Sequence, residues 1–191
     1  WWYKNRDHNN NGLCEYVSTD GTRVAAAWES GMDNAVRFDD AKMEKNNNSA
    51  WSLDQESVDL NAYLYAEKSY LLKLAESIGV KIPDMAKDMK KLGCSIRDDF
   101  YDKESGYFYD FNTTEDKLIK VLGPEAWIVL WAEIAAKPQA EQVVAVITDE
   151  KHFNTHCPFP TLDASHAKFD PNDGYWRGPV WLDQAYFAWN A

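Results

Sequence analysis

The chain contains no Gly-x-Gly-x-x-Gly, no phosphate-cradling Gly-rich loop with its lysine, and no Ser/His/Asp signature. The common nucleotide-binding and acyl-transfer machineries are therefore not recognisable in it. No apolar run approaches the roughly 20 residues that a membrane-spanning helix needs. Cysteine is scarce: Cys14, Cys94 and Cys157 are odd in number and lack metal-site spacing, so they outline no disulfide framework. The four histidines, His8, His152, His156 and His166, are scattered without a metal-ligand pair. Basic residues are outnumbered 31 to 20, for a net charge of −11. That balance excludes a nucleic-acid backbone or an anionic membrane as partner and favours neutral ligands and divalent cations. An initiator methionine, a leader pattern and a closing helix cap are missing too, so the chain is expected to be a piece of a larger protein.

Aromatic side chains are abundant, with nine Trp and ten Tyr. Their flat apolar faces and polar edges suit either a Trp-rich core or stacking on sugars. Helical periodicity appears over Asp33–Lys45, closed by the polar run Asn46–Ser49, and over Gln55–Ile78, where Leu60, Leu64, Leu71, Leu74 and Ile78 share a face. A helix opening at Pro83 aligns Met85, Met89, Leu92 and Ile96. Pro124–Ala136 and Pro138–Thr148 follow, each with proline in its first turn. A last helix starts at Pro179. Phe100–Phe111 reads as two short strands around a Ser-Gly turn. The expected fold class is all-α: helical hairpins with long, chemically rich loops and one small β-hairpin, in one domain spanning residues 1–191.

Four stretches carry candidate chemistry. In "DHNNNGLCE", oxygen donors at Asp7, Asn9 and Asn11 precede a glycine, the Leu13 carbonyl and Glu15. Alternating oxygens, a sharp bend and a backbone carbonyl are what a Ca²⁺ loop requires. Ser18 stands where an EF-hand has its bidentate glutamate, so the site is not an EF-hand, and a solvated Asn-rich turn has the same composition. In "AAWESGMDN", Glu29 and Asp33 are four residues apart beside Trp28. One unbroken helix would bring the pair to about 5–6 Å at Cβ, close to the separation of a retaining glycosidase and short of the roughly 6.5–9.5 Å of an inverting one. Gly31 argues against that helix and leaves Asp33 as a helix cap instead. Glu56 and Asp59 open a helix, where the dipole favours them. "GYWRGPVW" sets Trp176, Arg177 and Trp181 together, either as a structural cluster or as a carboxylate- and ring-binding group.

Taken in order, the blocks "NRDHNNNGLCEY", "AAWESGMDNA", "QESVDLNAYLY", "GYFYD", "GPEAWIVLW", "HFNTHCPFPTL" and "YWRGPVWLDQAYF" resemble glycoside hydrolase family 63, in its bacterial α-glucosidase-like branch. The resemblance implies part of an (α/α)₆ toroid and inverting hydrolysis of α-glucosidic linkages, with relatives acting on mannosylglycerate or glucosylglycerate. It implies Asp33 as general acid, and Trp28, Glu29, Glu56, Trp176 and Arg177 lining the sugar pocket. It also implies a structural Ca²⁺ at Asp7, Asn9, Asn11, Leu13 and Glu15. The partner would be an α-linked oligosaccharide or glucoside, in a periplasmic or secreted setting. The family's general base is a glutamate in a later motif with no counterpart here, so about half of a catalytic domain is expected. The competing expectation is a non-catalytic half-toroid that binds Ca²⁺ or carbohydrate, or that self-associates through exposed helix faces.

Overall fold

The structure, a computed structural model, describes residues 1–47 and 50–191. It corrects the expected all-α class. Helices hold 40% of the residues and strands 13%, in two antiparallel sheets, so the fold is mixed α and β. The helices are α1 (Trp2–Asn5), α2 (Arg23–Glu29), α3 (Val58–Ser77), α4 (Met85–Asp99), α5 (Glu125–Trp131), α6 (Lys137–Ile147) and α7 (Leu182–Trp189). The strands are β1 (Glu15–Ser18), β2 (Met43–Asn47), β3 (Ala50–Glu56), β4 (Tyr101–Asp102), β5 (Tyr107–Phe108), β6 (Asp110–Asn112) and β7 (Lys117–Ile119).

Strand β3 is the axis of the larger sheet. β1 takes one edge (Glu15 opposite Glu56, Val17 opposite Ser52), while β2 and then β6 share the other (Lys45 opposite Trp51, Gln55 opposite Asn112). β7 extends the sheet from β6. Six of the seven residues of β3 are buried, so it lacks the alternation that marks a strand with one wet face. Only Ser57 separates it from α3. The expected helix over Gln55–Ile78 therefore begins later, at Val58, and Glu56 ends a strand. Within α3, Leu60 and Leu64 are buried, whereas Leu74, and Ile78 just past the helix end, face solvent.

The expected helix over Asp33–Lys45 is replaced by a single 3₁₀ turn, Val36–Phe38, and by β2. All three residues of that turn are buried, which leaves no polar face for a surface helix. Asn46 and Asn47 belong to β2, and Asn48 and Ser49 lie outside the described residues. The expected helices from Pro83 and Pro138 form as α4 and α6, and the expected hairpin forms as β4 and β5. The helix after Pro124 stops at Trp131, with Glu133 in a left-handed turn, and the last begins at Leu182. Among the described residues no helix is long and apolar enough to cross a membrane.

Tyr107 and Phe153 are fully buried and stack in the core beneath α5, whose equally buried Trp127 meets Phe153 edge-on. Beside them lies a sealed ionic cluster. The Arg37 guanidinium spans Asp59 (2.6 Å) and Asp110 (2.9 Å), and Asp110 also accepts from the Gln55 amide at 2.6 Å and the Val58 amide at 2.8 Å. Glu125 is buried close by, with one carboxyl oxygen unpartnered. Burial, with Asp110 adding repulsion against the opposing pull of Arg37, pushes its carboxyl up to about 8. The folded state thus keeps a proton that the unfolded chain releases near 4.5. Stability from this group is full below about 4.5 and is lost as pH rises toward about 8. Glu125→Gln is expected to flatten the decline of Tm across that window and to raise Tm relative to the parent at its alkaline end. An equal slope in both proteins, followed by thermal denaturation, would show that Glu125 ionises freely in the fold.

Candidate active site

The segment Asp170–Gly178 forms a tight loop. The Asp170 amide donates to the Arg177 carbonyl (2.8 Å) and the Gly174 amide donates to the Asp170 carbonyl (3.1 Å). A Cβ on either Gly174 or Gly178 would overlap that same Asp170 carbonyl, so the closure depends on two glycines. Between them Tyr175 adopts φ +61°, a left-handed conformation rare for an aromatic residue. Trp176 is buried and stacks parallel on Trp181, with ring centroids 4.2 Å apart. The Trp181 indole N–H donates to the Tyr175 carbonyl at 2.9 Å. A cleft of about 670 Å³ opens beside this cluster, lined by Tyr175, Trp181, Leu182, Asp173 and Asp183 among others.

The second half of the site follows α2. The Thr22 hydroxyl caps its start by accepting from the Ala25 amide, and Gly31 at φ +77° turns the chain away after its end. Asp33 and Asn34 therefore stand in a turn outside the helix. Asn34 bonds to the aromatic loop three times. Its side-chain amide donates to the Gly174 carbonyl (3.1 Å), its side-chain oxygen accepts from the Trp176 amide (2.9 Å), and its carbonyl accepts from Arg177 Nε (2.7 Å). The Tyr175 hydroxyl donates to Asp33 Oδ2 at 3.1 Å. The Arg177 fork is completed by Asp39 at 2.7 Å, which also pairs with Lys168 at 2.5 Å.

The sequence candidates thus divide among three places. Asp33, Trp176 and Arg177 come together through Asn34, with Arg177 engaged by Asn34 and Asp39. Glu29 is held by Arg6 (2.7 Å) and by the Val17 amide (2.7 Å), which ties α2 to β1, and Trp28 is 60% exposed on α2. Glu56 is buried and accepts from the Asn9 and Asn11 side-chain amides at 3.0 and 2.7 Å. Asn34, Asp39 and Tyr175 were not singled out from sequence. Asn34 and Tyr175 stand inside quoted motifs, but a single sequence carries no sign that loops about 140 residues apart touch.

The Asn-rich loop folds on its own side chains. Asp7 accepts from the Asn11 and Gly12 amides (both 3.0 Å), and Asn11 accepts from the Leu13 amide (2.8 Å). Glu15 is 1% exposed, and one of its carboxyl oxygens has no partner. Burial pushes its carboxyl up to about 9, against a hydrogen bond from the His8 amide and with Glu56 and Asp7 adding repulsion. No group of three or more His, Cys, Asp or Glu among the described residues is arranged to hold a metal. A hard cation such as Ca²⁺ also uses amide and carbonyl oxygens, and an orphaned buried carboxyl oxygen near two other acids fits that need.

Residues 1–191 match the family of mannosylglycerate hydrolase MGH1-like glycoside hydrolase domains. The chain belongs to this family. The assignment agrees with the family 63 resemblance of the sequence blocks. A mannosylglycerate hydrolase of Rubrobacter radiotolerans is 25% identical to the MGH1-like domain over 130 residues, covering 66% of this chain and 29% of that protein. The structure of the GH63 mannosylglycerate hydrolase from Thermus thermophilus in complex with glucose shares the fold. It has a TM-score of 0.78 at 20% identity, over 98% of this chain and 51% of the other. Neutral trehalase Nth1 of Saccharomyces cerevisiae follows with a TM-score of 0.63 at 19% identity, over 88% and 31%. The MGH1-like domain therefore spans about half the length of the Thermus protein and less of the others.

Proposed function

We propose that the domain supplies the acid half of an inverting glycosidase site, with Asp33 as the general acid. The observation that carries this reading is the separation of the two acids in "WESGMDN". Glu29 is saturated by Arg6 and Val17, whereas Asp33 holds one hydrogen bond, at Oδ2, and its Oδ1 has no partner among the described residues. A protonated Oδ1 gives its hydrogen to the leaving oxygen as the glycosidic C–O bond breaks, and a second, ionised carboxyl activates water on the opposite ring face, about 6.5–9.5 Å away. The family 63 resemblance assigns that second carboxyl to a glutamate in a later motif that has no counterpart among these 191 residues. Tyr175 and Trp181, the latter backed by the buried Trp176, give the neighbouring cleft an aromatic wall suited to a sugar ring. The substrate class is an α-linked hexoside with a small aglycone, of the mannosylglycerate type named for the relatives, with α-glucosides as the second class. In the full-length protein, Asp33→Asn is expected to lower hexose release by about 10²–10⁴-fold with little change in Tm. Wild-type rates in that variant would refute the acid assignment. A panel of mannosylglycerate, glucosylglycerate and α-glucobioses, compared by kcat/KM, identifies the substrate.

The acidic loop is proposed to bind a structural Ca²⁺ through Asp7, Asn9, Asn11, the Leu13 carbonyl and Glu15. The ion would neutralise the buried Glu15 and brace the loop on which Glu56 rests. Added Ca²⁺ is expected to raise Tm, and a chelator to lower it, with Glu15→Gln insensitive to both. No heat on titration and no shift in melting would remove the metal from the account. A non-catalytic, self-associating module is the second reading, favoured by Leu182, Tyr186 and Trp189 exposed on α7. Association by light scattering, with no hexose release from any member of the panel, would select it.

A further inference from the structure

We propose that Tyr175 is the positioning residue of the acid: its phenol holds Asp33 Oδ2 and so directs the transferable proton to Oδ1. This rests on the reading of Asp33 as general acid. The geometry is unusual in three connected ways. The hydroxyl reaches the carboxyl at 3.1 Å, and the backbone that places it is left-handed, at φ +61°. For a bulky residue that conformation is strained and persists only where the surroundings over-determine it. Burial of the ring does not provide the compensation, because Tyr175 is 45% exposed.

What holds Tyr175 is the residue after Asp33. The Asn34 side chain bonds the carbonyl before Tyr175 and the amide after it, at 3.1 and 2.9 Å. The Trp181 indole takes the carbonyl of Tyr175 itself, and the Tyr175 ring meets the Trp181 ring edge-on at 5.4 Å. The dipeptide Asp33-Asn34 thus grips Tyr175 and both its neighbours at once. A packing role alone would need only the ring. The hydroxyl-to-carboxyl contact and the bracket around it fix the register of acid and phenol.

The chemistry follows from which oxygen is taken. With Tyr175 donating to Oδ2, the proton of the neutral acid sits on Oδ1. As the Oδ1–H bond breaks, the proton joins the leaving oxygen, which keeps the electron pair of the cleaved C–O bond. Negative charge then spreads onto Oδ2, and the phenol hydrogen bond changes from neutral to charge-assisted. It is stronger in the transition state than in the ground state, the condition for raising kcat rather than lowering KM.

The test uses the full-length protein with Tyr175→Phe, which keeps the ring against Trp181 and removes only the hydroxyl. The expected result is a kcat reduced by about 10–100-fold, a KM near the wild-type value, an unchanged Tm, and a high-pH limb of kcat moved to higher pH. Asn34→Ala, which leaves phenol and carboxyl intact but releases the bracket, is expected to lower kcat in the same way by a smaller factor. Wild-type kcat and pH limb in Tyr175→Phe, beside an inactive Asp33→Asn, would overturn the positioning role and leave the acid reading standing. A raised KM with unchanged kcat would make the phenol a substrate contact and would also overturn it. An active Asp33→Asn would overturn the acid reading itself. Should Tyr175→Phe fail to fold, Asn34→Ala decides by the same readouts: an unchanged kcat there overturns the proposal.

Discussion

Arg37 is the one cation among the buried described residues, and the rest of the site depends on how it is held. Removing a guanidinium from water costs several kcal/mol unless its donors are matched. Here Asp59 at the start of α3 and Asp110 in β6 both meet its fork, and Gln55 and the Val58 amide occupy the remaining carboxyl positions of Asp110. One side chain therefore joins the 3₁₀ turn, the long helix and the central sheet. A planar fork can do this, and a lysine point charge cannot. The turn that carries Arg37 begins two residues after Asn34 and ends one before Asp39. Asn34 and Asp39 are the two residues that grip Arg177. The segment from Asp33 to Asp39 is thus fixed at its centre by a buried ion cluster and at its ends by the aromatic loop.

An acidic chain raises the question of which carboxylates are free to react. The structure narrows it by showing what each one touches. Asp59 and Asp110 neutralise Arg37, Asp39 gathers Arg177 and Lys168, Glu29 is held by Arg6, and Glu56 closes the Asn-rich loop. Asp33 differs from them in bonding to a cleft-lining tyrosine.

Much of the local structure was legible because it depends on local rules. Proline in a first turn marked α6, and a Ser-Gly turn between aromatic pairs marked the β4–β5 hairpin. The larger sheet was not legible. β3 is covered on nearly its whole length and runs into α3 with one residue between, so its last residues, Gln55 and Glu56, read as the first turn of a helix. The stretch Asp33–Lys45 failed for a related reason: Arg37 looks like a surface residue until the two aspartates that bury it, 22 and 73 residues away, are brought beside it. The same limit hid Tyr175, whose partner is set by tertiary packing and by the two glycines that hug Asp170. The ordered motif blocks singled out Asp33 as a candidate without revealing what holds it.

The dependence of the site on Arg37 is tested most directly by hydrogen exchange at the Trp176 amide, which donates to Asn34. Arg37→Lys keeps the charge and removes the fork. Exchange at Trp176 is expected to accelerate by about tenfold or more beyond any change at the α4 amides, because the turn that presents Asn34 loses its anchor while that helix does not. Unchanged protection at Trp176, in a variant whose buried ion cluster is shown to be disrupted, would mean that the aromatic loop holds Asn34 without Arg37.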